Sequence, residues 1–204
     1  MKALTPRTQT RCPCRALAAG YTVVELMMAL AVFGIGVSGI IAMQKVAAAA
    51  NQHSRALSIA TNIAQAWQDQ LNMDASLSNR LNGFANTTWF KSVSGTNLQA
   101  TWSRPSYDTN LGIGAAFDAL GQPLSDAGAS LANAQFCVHV QLTRLYPTSV
   151  GIDVIRTEVR VIWPRTEGTT SATFCAVNSD VTTIANDFAN YHSIYQVSAV
   201  RQQP

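Results

Sequence analysis

Apolar residues run from Leu26 to Met43, 18 residues without a charge. With Tyr21 to Glu25 in front, the segment reaches the roughly 20 residues that a membrane-spanning helix needs. It contains no proline. Beyond Gln44 the pattern changes. Val46, Ala50, His53, Leu57, Ala60, Ala64, Trp67 and Leu71 recur at spacings of three and four, while Gln52, Arg55, Asn62, Gln65 and Asp69 fall mostly elsewhere. That is one face of a helix. No proline or glycine interrupts between Val46 and Asn82. The spacing predicts one helix from Tyr21 to about Asn72, near 78 Å long at about 1.5 Å per residue. Its first half is apolar all round and its second half amphipathic, which suits a stalk whose distal part packs on a sheet. His53 lies on the apolar stripe and reads as a packed side chain, not a ligand. Gly34, Gly36 and Gly39 interrupt the apolar half, where small residues permit close helix approach.

A second period appears later. Phe136 to Tyr146 alternates Phe136, Val138, Val140 and Leu142 against Cys137, His139, Gln141 and Thr143. Ile152 to Trp163 is rich in β-branched residues and meets Pro164. Ser193 to Arg201 alternates Tyr195, Val197 and Ala199 against Gln196, Ser198 and Val200. These are strand signals. Leu98 to Trp102 also alternates, and Pro105 stops it. Leu111 to Asn133, with glycines at 112, 114, 121 and 128, reads as a long connection holding a short helix or hairpin. The expected fold is α+β, with a long N-terminal helix beside an antiparallel sheet of three or four strands.

Composition removes several function classes. The net charge of +3 is uneven: residues 1–20 hold Lys2, Arg7, Arg11 and Arg15 and no acid. The remainder is close to neutral, so nucleic-acid binding is not expected. The positive-inside rule places the N-terminus in the cytoplasm and residues after the apolar helix outside. His53, His139 and His192 show no metal spacing. Cys137-Val138-His139 suggests a ligand pair, but neighbouring strand positions alternate faces and no further cluster supports it. No phosphate loop, nucleophile motif or internal repeat is present, so neither an enzyme nor a cofactor is expected. Cys12 and Cys14 precede the apolar segment and belong to a reducing compartment. Cys137 and Cys175 follow it, and two cysteines in an exported domain most simply make one disulfide. It would close a loop of about 40 residues, worth very roughly 3–4 kcal/mol by loop entropy, and fasten the Gly168–Asn190 loop to the sheet. The alternative is two buried free thiols.

The leader has an unusual order. In a secretory signal peptide the small-residue cleavage site follows the apolar core. Here Ala16, Ala18, Ala19 and Gly20 precede it, and Tyr21 stands where a lipoprotein would carry cysteine. An uncleaved signal anchor is the simplest reading of these residues. The stretch Gly20-Tyr21-Thr22-Val23-Val24-Glu25, after a basic leader and before an apolar run, resembles the processing motif of type IV prepilins. Tyr21 in place of the usual Phe and the long leader depart from the commonest pattern, and the helix-bending proline of many major pilins is missing near Ala42.

The resemblance implies cleavage after Gly20 by a prepilin peptidase and N-methylation of Tyr21. It further implies that Glu25 meets the N-terminal amine of a neighbouring subunit and sets axial register. The chain would divide into a leader (1–20), a transmembrane and assembly helix (21–44), its amphipathic continuation (45–75) and a periplasmic or extracellular pilin-like domain (76–204). The run from Gly34 to Gln44, and Ser54-Arg55-Ala56 to Ala64, look most like minor pilins of the PilV type. Such proteins are implied to prime pilus assembly or sit at the tip. Their partners would be other major and minor pilins and the inner-membrane assembly platform, with a single-pass membrane location before assembly. A pseudopilin of a type II secretion system shares the motif, and a signal-anchored periplasmic binding protein is the more distant alternative.

Overall fold

The structure is a computed structural model that describes residues 20–78, 83–93, 101–145, 154–165 and 174–201. The chain divides at Ala50 into two units, residues up to Ala50 and residues from Asn51. One helix, α1 (Val23–Ser76), contributes to both. Among the described residues the second unit holds five strands: β1 (Ala116–Phe117), β2 (Pro123–Leu124), β3 (Phe136–Arg144), β4 (Val154–Pro164) and β5 (Tyr191–Arg201). They form one antiparallel sheet in the order β2-β1-β3-β4-β5. Short helices α2 (Gly128–Leu131) and α3 (Val181–Asn186) lie between strands. The fold is α+β, with the distal part of α1 packed on the sheet.

The packing follows from period. Ala60, Ile63, Ala64, Trp67, Leu71 and Ala75 are buried on α1, three or four residues apart. They meet alternate residues of the central strands: Val138, Val140 and Leu142 on β3, and Ile155, Val159 and Val161 on β4. Each fully buried aliphatic side chain contributes about 1.5–3 kcal/mol, so this layer is the principal source of stability. A smaller cluster on the other side gathers Ala115, Leu131, Ala134, Phe174 and Cys175.

Two polar residues also face inward from α1. Gln68 is 4% exposed, and its Nε2 donates to the Gln196 carbonyl at 3.2 Å while Oε1 accepts from Thr157 Oγ1 at 3.0 Å. Asp74 accepts from the backbone N–H groups of Thr88 and Trp89 at 2.7 and 2.8 Å, tying residues 88–93 to the helix end. The Gln68 link explains the orientation of β5. Gln196, Ser198 and Val200 share the helix-facing side with Thr157 and Val159 by strand register. Tyr195 and Val197 therefore point outward, at 54% and 53% exposure. Gln68→Leu should cost about 1–3 kcal/mol, because it strands the buried Thr157 hydroxyl. Adding Thr157→Val should recover much of that loss, as measured by the denaturation midpoint of the double variant against the single one.

Several sequence expectations need correction. α1 starts at Val23 and runs past Asn72 to Ser76. Leu57, expected on the buried stripe, is exposed, as are Val46, Ala50 and His53, and Ile63 takes part instead. The expected strand Leu98–Trp102 is not formed in its described residues. Thr101 and Trp102 are irregular, and Ser103 makes only a single bridge to Val140. Beyond it Arg104 turns away to Asp126 and Pro105 has no N–H to offer a ladder; Leu98 to Ala100 lie outside the described residues. The Leu111–Asn133 connection contains both a hairpin, β1-β2, and the turn of helix α2. In the hairpin turn, Asp118 Oδ1 accepts from Leu120 and Gln122 N–H, each at 2.8 Å. Gly121 adopts φ +79° there, and a Cβ on it would stand 3.0 Å from the Ile59 side chain of α1. β3 ends at Arg144, β4 begins at Val154 and keeps Pro164 as its last residue, and β5 begins at Tyr191. Tyr146, Ile152 and residues 168–173 lie outside the described residues.

Candidate functional site

At the start of α1 the backbone is organised by Thr22. Its Oγ1 accepts from the Glu25 N–H at 3.2 Å, and its carbonyl accepts from the Leu26 N–H at 3.1 Å. Thr22 is thus the N-cap and Glu25 the third helical residue, the arrangement of a Thr-x-x-Glu capping box. A carboxylate in the first turn also complements the positive end of the helix dipole. Sequence reasoning gave Thr22 no structural role, although the Thr-x-x-Glu spacing signals one. Gly20, Tyr21 and Glu25 are all exposed, Tyr21 at 84%. The peptide bond between Gly20 and Tyr21 therefore lies just ahead of the capped turn, outside regular structure.

The helix that follows is apolar on every side. Val23, Leu26, Met27, Leu30, Phe33 and Ile35 are all more than half exposed. Ser38, the polar exception midway, satisfies its hydroxyl on the Ile35 carbonyl at 2.7 Å. The helix is long and apolar enough to act as a membrane anchor. Covering such a surface is favourable by about 25 cal/mol for each Å² of apolar area removed from water.

On the outer face of the sheet the second unit carries a buried polar cluster. Cys137 and Cys175 are joined by a disulfide with Cα atoms 5.4 Å apart, which fastens the 174–180 segment to β3. His139, two residues from Cys137, shares its face, contrary to the alternation argument made from sequence. It is fully buried, and its Nε2 lies 3.8 Å from Cys137 Sγ. Arg160, directly across the ladder and 3% exposed, donates from Nη2 to His139 Nδ1 at 2.9 Å and to the Val181 carbonyl at 3.1 Å. Its guanidinium sits 4.3 Å from the Trp102 ring centre and 5.9 Å from that of Tyr195. Among the described residues this cation is held by ring faces, not by a carboxylate. Burial, then the charges of Arg160 and Arg104, push His139 down to about 3. Burial likewise lowers Arg160.

Arg104 secures the same face. It pairs with Asp126 and donates from Nε to the Cys175 carbonyl at 2.9 Å. Asp126 also accepts from Tyr107 N–H at 2.7 Å. These bonds outweigh burial and hold the Asp126 carboxyl below its usual range. Asp180 caps α3 by accepting from Thr182 and Thr183, and those bonds lower its pKa. The remaining histidines meet elsewhere. His53 of α1 and His192 of β5 stand with ring centres 4.7 Å apart, and His192 also lies 5.4 Å from Trp163. Burial, Arg165 and His53 together lower His192.

Among the described residues no group of three metal-ligating side chains occurs. The features that could serve a function are the capped, bare apolar helix with Glu25 in its first turn, and a disulfide-fastened domain following it. Comparison of the chain with family models, with curated proteins and with solved structures found no match.

Proposed function

We propose that this chain is a minor pilin of a type IV pilus, made as a prepilin and cut after Gly20. The observation that carries the reading is Glu25. It is the sole charge in an otherwise apolar run from Tyr21 to Gln44, and it stands in the first turn of a helix whose apolar surface is uncovered. Cleavage before Tyr21 creates an amine, which stays cationic after N-methylation. In lipid or in a fibre core, a carboxylate alone costs about 2.5–3.5 kcal/mol at the centre of a bilayer. The amine of a neighbouring subunit offsets that cost and gives each subunit a defined axial position. In this reading the helix crosses the inner membrane with its N-terminus inside, held there until the assembly platform adds it to a fibre of other pilins. The α+β unit with its disulfide then lies outside, at the tip or along the shaft.

Gly20→Val should block cutting, because a β-branched side chain replaces hydrogen at the residue before the scissile bond. Immunoblots should show the variant at the full precursor size, about twenty residues longer than the mature chain, and absent from sheared fibres. Shortening and fibre release that proceed unchanged in Gly20→Val would contradict the proposed processing.

A further inference from the structure

We infer that His53 and His192 form a two-imidazole site for a borderline divalent transition-metal ion, Cu²⁺ above all, that clasps α1 to β5. The rings stand with centres 4.7 Å apart and planes tilted by 51°. Two imidazoles bound side by side to one ion each hold their ring centre about 3.2 Å from it, given a metal–nitrogen bond near 2.0–2.1 Å. At a ligand–metal–ligand angle of about 90–110° their centres then stand roughly 4.5–5.2 Å apart. The observed spacing falls inside that range.

The two ligands come from elements that other contacts already hold. His192 pairs with Trp163 across the β4-β5 ladder and lies against its ring. His53 lies two turns of helix before Ala60, where α1 becomes buried. His53 is exposed and His192 only half-buried, so an ion reaches the pair from solvent. Among the described residues no carboxylate completes a three-ligand group with the pair; paired nitrogens select against Mg²⁺ and Ca²⁺, which demand oxygen ligands, and favour Cu²⁺ by the usual order of divalent affinities. Arg165, whose Nε donates to the Tyr191 carbonyl at 3.3 Å, is the nearby opposing charge. With it, and with two protein ligands among the described residues, the site is a weak clasp whose other positions water fills.

The test uses the full chain in detergent, with cysteine thiols alkylated first so that Cys12 and Cys14 cannot compete. Cu²⁺ is titrated while the electron paramagnetic resonance spectrum and Tm are recorded. The expected spectrum carries hyperfine structure from two imidazole nitrogens. Tm should rise by roughly 5 °C at a hundredfold excess over Kd, with no rise in Mg²⁺. His53→Gln alters an exposed helical residue, so it should leave the fold intact and abolish both signals; His192→Gln should do the same. Nitrogen structure that persists unchanged in both variants, or no Cu²⁺-dependent spectrum in the parent chain, would overturn the assignment.

Discussion

Glu25→Ala should yield a subunit that is cut, stable and held in the membrane, yet fails to enter fibres. The substitution lies beyond the Gly20–Tyr21 bond, and the 51–204 unit folds around contacts that do not include residue 25. The helix start loses little, because the bond that Thr22 accepts comes from the backbone N–H of residue 25 and survives the change. What disappears is the carboxylate that a neighbour's amine would meet. An uncompensated amine in an apolar core carries a cost of a few kcal/mol, so incorporation should fall about tenfold or more. Because a buried charge pair need not stabilise more than apolar packing does, the loss should appear in docking, not in subunit abundance. The check is the subunit's level in sheared-fibre and membrane fractions of cells carrying each version. Equal levels in fibres would mean that Glu25 only snorkels toward headgroups.

Acidification from pH 7 should destabilise the second unit well before its carboxylates titrate. His139 is neutral in the fold, with its pKa lowered from 6.5 to about 3. In the unfolded chain it takes up a proton below about pH 6.5. Between those values the unfolded state binds more protons, so stability falls as pH falls, by about 1.4 kcal/mol for each pH unit. The loss from this group reaches about 5 kcal/mol near pH 3 and then stops growing. The physical cause is burial beside Arg160, whose guanidinium already donates to the only ring nitrogen facing it. Asp126 and Asp180, both lowered, add their own losses only below about pH 4. His192 is also lowered and adds a loss of its own below about pH 6.5, so the measurement is a difference. Unfolding free energies at pH 7 and pH 4.5 are compared for the parent chain and His139→Gln. The parent should lose about 3 kcal/mol more than the variant over that interval. Equal losses would place the acid sensitivity elsewhere.

How much of this was legible beforehand depended on period. The helix, β3 and β5 announce themselves because their apolar spacing repeats several times, and β4 because it is rich in β-branched residues; each of the three strands runs for nine residues or more. β1 and β2 are two residues each, too short for any alternation to register. Their place in the sheet comes from pairing with β3 and from a turn resting on Ile59. Gln68 and Asp74 were hidden for another reason. A polar residue on a buried face looks like an interruption until its partners, Thr157 and the Thr88 and Trp89 amides, are brought near by the fold. The same link put the apolar-looking Tyr195 and Val197 on the outside. The outer-face cluster of His139, Arg160 and the disulfide draws its parts from three separate stretches; sequence showed Cys137 and Cys175 as a pair, and set Cys137 with His139 aside by an alternation argument that fails for residues two apart. At the N-terminus, the order of Gly20, Tyr21 and Glu25 was plain in the sequence, and the structure adds Thr22 as the residue that sets where the helix starts.

The measurement closest to the central claim is the mass of the N-terminal peptide of the chain recovered from its native membrane or fibres. The proposed function requires that peptide to begin at Tyr21 and to carry one methyl group on its amine. A chain from the same source that retains the residues up to Gly20, or that begins at an unmodified residue elsewhere, would contradict it.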